Sequence, residues 1–275
     1  MKKQQKRKKS IVDYLLTLVM VVAFGVFVYA GYNLLVIQSE YKEGEETYEQ
    51  LQAYVQETNE EKEITKTEDE ILTPGIETAG SLEAELALKA PITVDFLQLK
   101  EVNEDIVGWI YLEAIPSISY PIVQGEDNDY YLKHTVEGKR NSSASIFIDY
   151  RNMSDFSQAN TIVYGHNMKN QSMFGLLKQY KKAETCASSP YIWILTPQGE
   201  YRYEIFSVRE VGDRDDVYSH LDFQAEELKA YMEQMQSHSI VPFTHTFDGT
   251  EKMITLSTCT SKATKRCVVQ AYRAD

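Results

Sequence analysis

Apolar positions run without a charge from Tyr14 to Ile37, 24 residues in all. At about 1.5 Å of rise per residue, a helix of that length crosses a hydrocarbon layer of about 30 Å. Beyond it the apolar positions thin out. Tyr41, Tyr48, Leu51 and Val55 keep coiled-coil-like spacing, which predicts that the helix continues outward. TPG at 73–75 and AGS at 79–81 read as breaks. Residues 82–101 read as helical, interrupted at Pro91. From Val107 the texture turns to short β-rich runs at 108–112, 118–123, 144–149, 160–165, 191–196, 201–208, 252–258 and 267–272, many separated by turn formers. Such a series predicts a mainly β domain, a closed antiparallel barrel or a sandwich. One helix interrupts it. Within 223–238, Leu228, Tyr231, Met232 and Met235 fall at i, i+3, i+4 and i+7. Asp222 suits its N-cap, and Glu226 and Glu227 suit its first turn.

Charge divides the chain further. Residues 2–9 (KKQQKRKK) are strongly basic and precede the apolar run, so the positive-inside rule sets the N-terminus in the cytoplasm and everything after residue 37 outside. The run exceeds the apolar core of a cleaved signal peptide, and no clear cleavage site follows it. The expected organisation is a cytoplasmic tail at 1–10, a transmembrane signal-anchor at 11–37, an acidic stalk or linker at 38–90 and a catalytic domain at 91–275. The net charge is -13 despite the basic tail, and an acidic ectodomain argues against nucleic acid as a partner. Three cysteines, Cys186, Cys259 and Cys267, are too few and odd in number for a disulfide framework. At least one thiol is left for chemistry or for packing.

The stretch MITLSTCTSKATKRCVVQAY concentrates the candidate chemistry. Cys259 sits where the alternating strand KMITLST runs out; a polar loop follows, and RCVVQAY resumes an extended pattern. If the two strands pair as a hairpin, Cys259 and Arg266 become neighbours. A nearby cation favours the thiolate, and a guanidinium offers fixed donors to an oxyanion. The same spacing also fits a small buried cysteine beside a surface arginine. Of the five histidines, only His166 follows a strand directly into a Gly turn (NTIVYGHNM), where Gly165 permits a sharp bend. An imidazole there suits a general acid/base, although on spacing alone a surface histidine is the commoner explanation. Cys267 follows Arg266 and points to the opposite strand face, toward the core.

TLSTC at 255–259 with Arg266 and a closing VV strand resembles the end of sortase domains. NTIVYGHNM with MFGLL at 173–177 is similar to their histidine segment. GWI at 108–110, YPIVQGEDNDYYL at 120–132, SIFIDYRN at 145–152 and the helix at 223–238 resemble class B members. The resemblance implies an eight-stranded sortase-type β-barrel with flanking helices, behind the transmembrane helix and acidic stalk. It implies a membrane-anchored cysteine transpeptidase with Cys259 as nucleophile, His166 as general acid and Arg266 holding substrate and stabilising the oxyanion. It also implies Asn128, Leu132 and Ser257 as substrate-binding residues. No metal and no cofactor are expected. The implied partners are secreted proteins bearing a C-terminal sorting signal, cleaved after Thr, and an amine of a peptidoglycan cross-bridge or its lipid-linked precursor. Many class B members carry an acid after the nucleophile, where this chain has Thr260. Pilin polymerisation onto a lysine, hydrolysis by the same trio and a non-enzymatic adhesion module are the competing readings.

Overall fold

The computed structural model describes residues 11–58, 89–219, 221–259 and 264–274, with Asp13 and Cys259 described by their backbone. The basic tail, the breaks at 73–75 and 79–81, the first part of the expected 82–101 helix and Thr260 lie outside the described residues.

A single helix, α1, runs from Ile11 to Leu51. Its membrane-length part is apolar on every side, with a mean hydropathy of 2.2 and none of it buried within the protein, so it is long and apolar enough to cross a membrane. Further along, the helix becomes amphipathic. Gly44, Thr47, Tyr48 and Leu51 are buried, at the spacing of one helical face. The partner of this stripe is the barrel itself, because Tyr48 and Leu51 belong to its main apolar core. The chain then enters a short strand, β1 (Val55–Glu57), which pairs antiparallel with β2 (Ile92–Val94).

Helix α2 (Phe96–Val102) begins only after β2, so the segment expected as helix just after Pro91 is a strand. Pro91 disfavours helical geometry before it, and Asp95 restarts the helix as N-cap, its carboxylate accepting from Gln98 N at 3.1 Å.

Eight strands close the barrel: β3 (Ile106–Leu112), β4 (Ser119–Val123), β5 (Ile146–Ile148), β6 (Asn160–His166), β7 (Tyr191–Thr196), β8 (Gly199–Gly212), β9 (Met253–Cys259) and β10 (Lys265–Arg273). Their order around it is β10-β8-β7-β3-β4-β5-β6-β9. Each of the eight runs read from the sequence contributes one strand. The expectation of an antiparallel barrel needs correction: β4–β5 and β6–β9 are parallel. A tight hairpin imposes antiparallel pairing, whereas the long connections inside these two pairs allow the strand to return in the same direction. Trp109, Trp193, Phe174, Tyr203 and Ile110 are buried in the main apolar core with almost no exposure, each worth about 1.5–3 kcal/mol of apolar burial.

Helix α3 (Ala183–Ser188) carries Cys186 on the barrel's flank. Helix α4 (Ala225–Ser237) buries Leu228, Tyr231, Met232 and Met235 in a second apolar cluster with Phe206, Phe247 and Tyr272. Its N-cap is Gln224, reciprocally bonded with Glu227, and not Asp222. Asp222 lies outside the helix and accepts from Gln158 Nε2 at 3.2 Å.

Candidate active site

Strands β6 and β9 lie side by side, in register from Asn160 opposite Met253 to His166 opposite Cys259. Two segments distant in the chain thus bring the histidine and the cysteine to one strand end. β10 flanks β9 on its other side, with Val268 opposite Ser257. Just beyond that pair, Cys267 N donates to Thr258 Oγ1 at 3.0 Å, so the first residues of β10 stay beside the end of β9. The Arg266 guanidinium is tied to the same spot, Nη1 donating to Thr258 O at 3.3 Å.

Gly165 contributes by close packing. It lies within the strand, and a Cβ there would stand 2.7 Å from the Phe174 ring and collide with Ile146. The segment after His166 folds back onto it, with Phe174 N donating to His166 O at 2.9 Å. His166 is half-buried. Its Nε2–H donates to the Leu132 carbonyl at 2.8 Å. A carbonyl only accepts, so the neutral ring carries its proton on Nε2 and its lone pair on Nδ1.

A groove of about 1080 Å³ opens over these groups, lined by His166, Arg266, Asn128, Leu132 and Tyr164, and by Glu40 and Tyr41 of α1. Ser257 is fully buried. Its hydroxyl lies 2.9 Å from Tyr218 Oη, and Tyr218 stacks on Tyr164, so Ser257 meets the groove through those rings.

Asn128 is held by a group that sequence reasoning missed. Its amide donates to Asp149 Oδ2 at 3.0 Å, and its Oδ1 accepts from Tyr150 N at 3.0 Å. The fully buried Asp149 also accepts from Arg151 Nε at 2.8 Å, Arg151 Nη2 at 2.9 Å and Tyr164 Oη at 3.1 Å. Burial pushes the Asp149 carboxyl up, but its Arg151 and Asn128 bonds outweigh this and hold it below the usual carboxylate range. An acid closing the apolar run IFI at 146–148, two residues before an arginine, was the available signal.

Cys186 and Cys267 are both free and buried. Burial pushes each thiol up to about 11, and Cys186 Sγ donates to Tyr180 O at 3.3 Å. Neither suits a thiolate nucleophile at neutral pH.

The sortase-domain family model matches residues 110–274, more than half of the chain. The chain belongs to the sortase family. Sortase B proteins are among the relatives it resembles. Sortase B of Listeria monocytogenes is 36% identical over 162 residues, covering 58% of this chain and 65% of that one. Sortase B of Staphylococcus aureus is 32% identical over 180 residues, 64% of this chain and 73% of that one. The chain therefore spans a little under two thirds of the Listeria relative's length. Among solved structures, Staphylococcus aureus sortase B aligns with a TM-score of 0.62 at 32% identity, covering 66% of this sortase chain and 86% of that one. A sortase B–substrate complex from the same organism aligns with a TM-score of 0.67 at 27% identity, covering 86% and 99%.

Proposed function

We propose that this sortase is a membrane-anchored cysteine transpeptidase that cleaves a C-terminal sorting signal after Thr and transfers the protein to an amine of the cell wall. The observation that carries the reading is the juxtaposition of His166 and Cys259 on neighbouring strand ends, with Arg266 and His166 sharing one groove. Asn128 and Leu132 border the same groove, and Ser257 supports it from behind. The apolar part of α1 supplies the anchor, with the basic tail on the cytoplasmic side and the barrel outside.

Cys259 passes its thiol proton to His166 Nδ1, and the resulting thiolate attacks the carbonyl carbon that follows Thr. The carbonyl oxygen takes up negative charge beside the Arg266 guanidinium. As the intermediate collapses, the C–N bond breaks and the leaving nitrogen takes a proton from His166 Nδ1, since Nε2 is engaged by Leu132. The result is a thioester acyl-enzyme. An incoming amine attacks that thioester and gives a proton back to Nδ1. The C–S bond breaks, which restores the thiolate.

The test is a peptide-library reaction with the full chain in detergent micelles, with and without added triglycine. Cleavage that depends on Cys259, and a product that shifts from acid to amide when triglycine is present, are expected. A Cys259→Ala protein with full activity would sink the scheme. Cleavage unaffected by the amine would favour a hydrolase.

A further inference from the structure

No break separates the apolar run of α1 from the turn that meets the barrel. Ile37 and Glu40 are three residues apart in one continuous helix, about 4.5 Å along its axis. The turn that follows is docked closely. A Cβ on Gly44 would stand 2.5 Å from Ser143 Oγ. Asn141 Nδ2 donates to Glu40 O, and Asn170 Nδ2 to Glu45 Oε1, both at 2.8 Å. The buried Tyr48 donates to Ala144 O and meets Tyr120 edge-on at 5.5 Å between ring centroids. Gln52 Nε2 donates to Ser119 O at 2.8 Å. Together these contacts fix the helix in height and in rotation against the barrel. Glu40 and Tyr41, where the docked part begins, then form part of the groove that contains His166 and Arg266.

We propose that the outer turns of α1 are a wall of the peptide groove and set its height, so that the groove opens at the lipid–water boundary and takes a donor peptide itself held at the bilayer surface. This rests on the transpeptidase reading above. Residues 38–51 then act as part of the site, in place of a spacer that lifts the barrel away. A rigid helix docked by several bonds cannot swing the groove outward, so a donor confined to the same surface gains a high effective concentration. Tyr41 adds an aromatic face and Glu40 a carboxylate to a groove otherwise built from the barrel.

The experiment uses the full chain in phosphatidylcholine vesicles, triglycine as acceptor, and the best peptide of the library reaction in two forms, free and carrying an acyl anchor. The wild type is expected to use the anchored donor with at least tenfold higher kcat/KM. Inserting about 14 helix-forming residues between Ile37 and Gln38 lifts the groove by about 21 Å. The free donor should react as before, within twofold, and the anchored donor should lose its advantage. Gly44→Ala, which pries the wall from Ser143, should slow both donors at least fivefold, and adding Ser143→Gly should restore them. An anchored-donor advantage that survives the insertion overturns the proposal. So does a Gly44→Ala protein with unchanged melting that transfers at the wild-type rate. A wild type that shows no Cys259-dependent transfer of the free donor refutes the transpeptidase reading instead.

Discussion

His166 and Cys259 occupy the last rung of the parallel ladder between β6 and β9. Arg266 is the second residue of β10, the strand on the far side of β9, and its guanidinium is bonded to the carbonyl just before Cys259. Three neighbouring strands of one closed sheet thus converge on the candidate chemistry. Sites built on strands hold their geometry better than sites on loops, and the Leu132 carbonyl adds a fixed orientation for the imidazole.

His166→Ala is expected to lower kcat for peptide-to-amine transfer by about 10²–10⁴-fold, the usual range for losing a positioned acid/base. Arg266→Ala should cost about 10²–10³-fold, in line with loss of an oxyanion donor. Arg266→Lys keeps the charge but not the fork, so it should fall between wild type and Arg266→Ala. Steady-state kinetics on proteins with unchanged melting temperature provide the check. Equal activity of the lysine and alanine variants would argue against a charge-based role.

Gly165→Ala should destabilise the domain by about 1–3 kcal/mol, the range for overpacking a filled core. The new methyl meets Ile146 and the Phe174 ring from within β6. Because the next residue is His166, the strand end should shift and transfer should fall by more than the unfolded fraction explains. Thermal melts paired with kinetics below the transition measure both effects. A folded variant with unaltered kcat would confine Gly165 to packing.

All eight barrel strands could be read from the sequence because each is a compact apolar or alternating run, most of them bounded by turn formers. Their pairing could not. Whether β6 meets β9 depends on contacts made across the intervening strands and α4, and local periodicity carries no trace of them. The stripe at Tyr48 and Leu51 was visible as helical spacing, but nothing in it names the barrel as its partner. At the site, residue type and strand position made His166, Cys259 and Arg266 candidates, and the resemblance to sortases singled them out. Asp149 did not, because its role comes from Asn128, Arg151 and Tyr164 meeting in space.

Asp149→Ala leaves the Asn128 amide, the Tyr164 hydroxyl and the Arg151 guanidinium without their shared acceptor. The expected cost is about 1–3 kcal/mol, and KM should rise because Asn128 borders the groove. The pH dependence has a definite sign. The folded carboxyl titrates below its ordinary value, about 3.9 in an unstructured chain. Its contribution is therefore complete above about pH 4 and is lost as pH falls through the folded value. The stability gap between wild type and Asp149→Asn should be constant near neutrality and close in acid. A gap that persists unchanged at pH 2 would mean that the carboxylate charge is not its source.

Thiol labelling separates the three cysteines. Burial holds the Cys186 and Cys267 thiols at about 11, so at pH 8 each is almost wholly protonated and enclosed, and thiolates react far faster than thiols. Native protein treated with iodoacetamide at pH 8 should gain one label, on Cys259, and three in denaturant without reductant, since Cys186 and Cys267 are free. Cys259→Ala should gain none in the native state and two when unfolded. Peptide mass mapping after digestion reads the positions. Native labelling at Cys267 as fast as at Cys259 would show that β10 opens at its Arg266 end, which would weaken the case for a preformed site there.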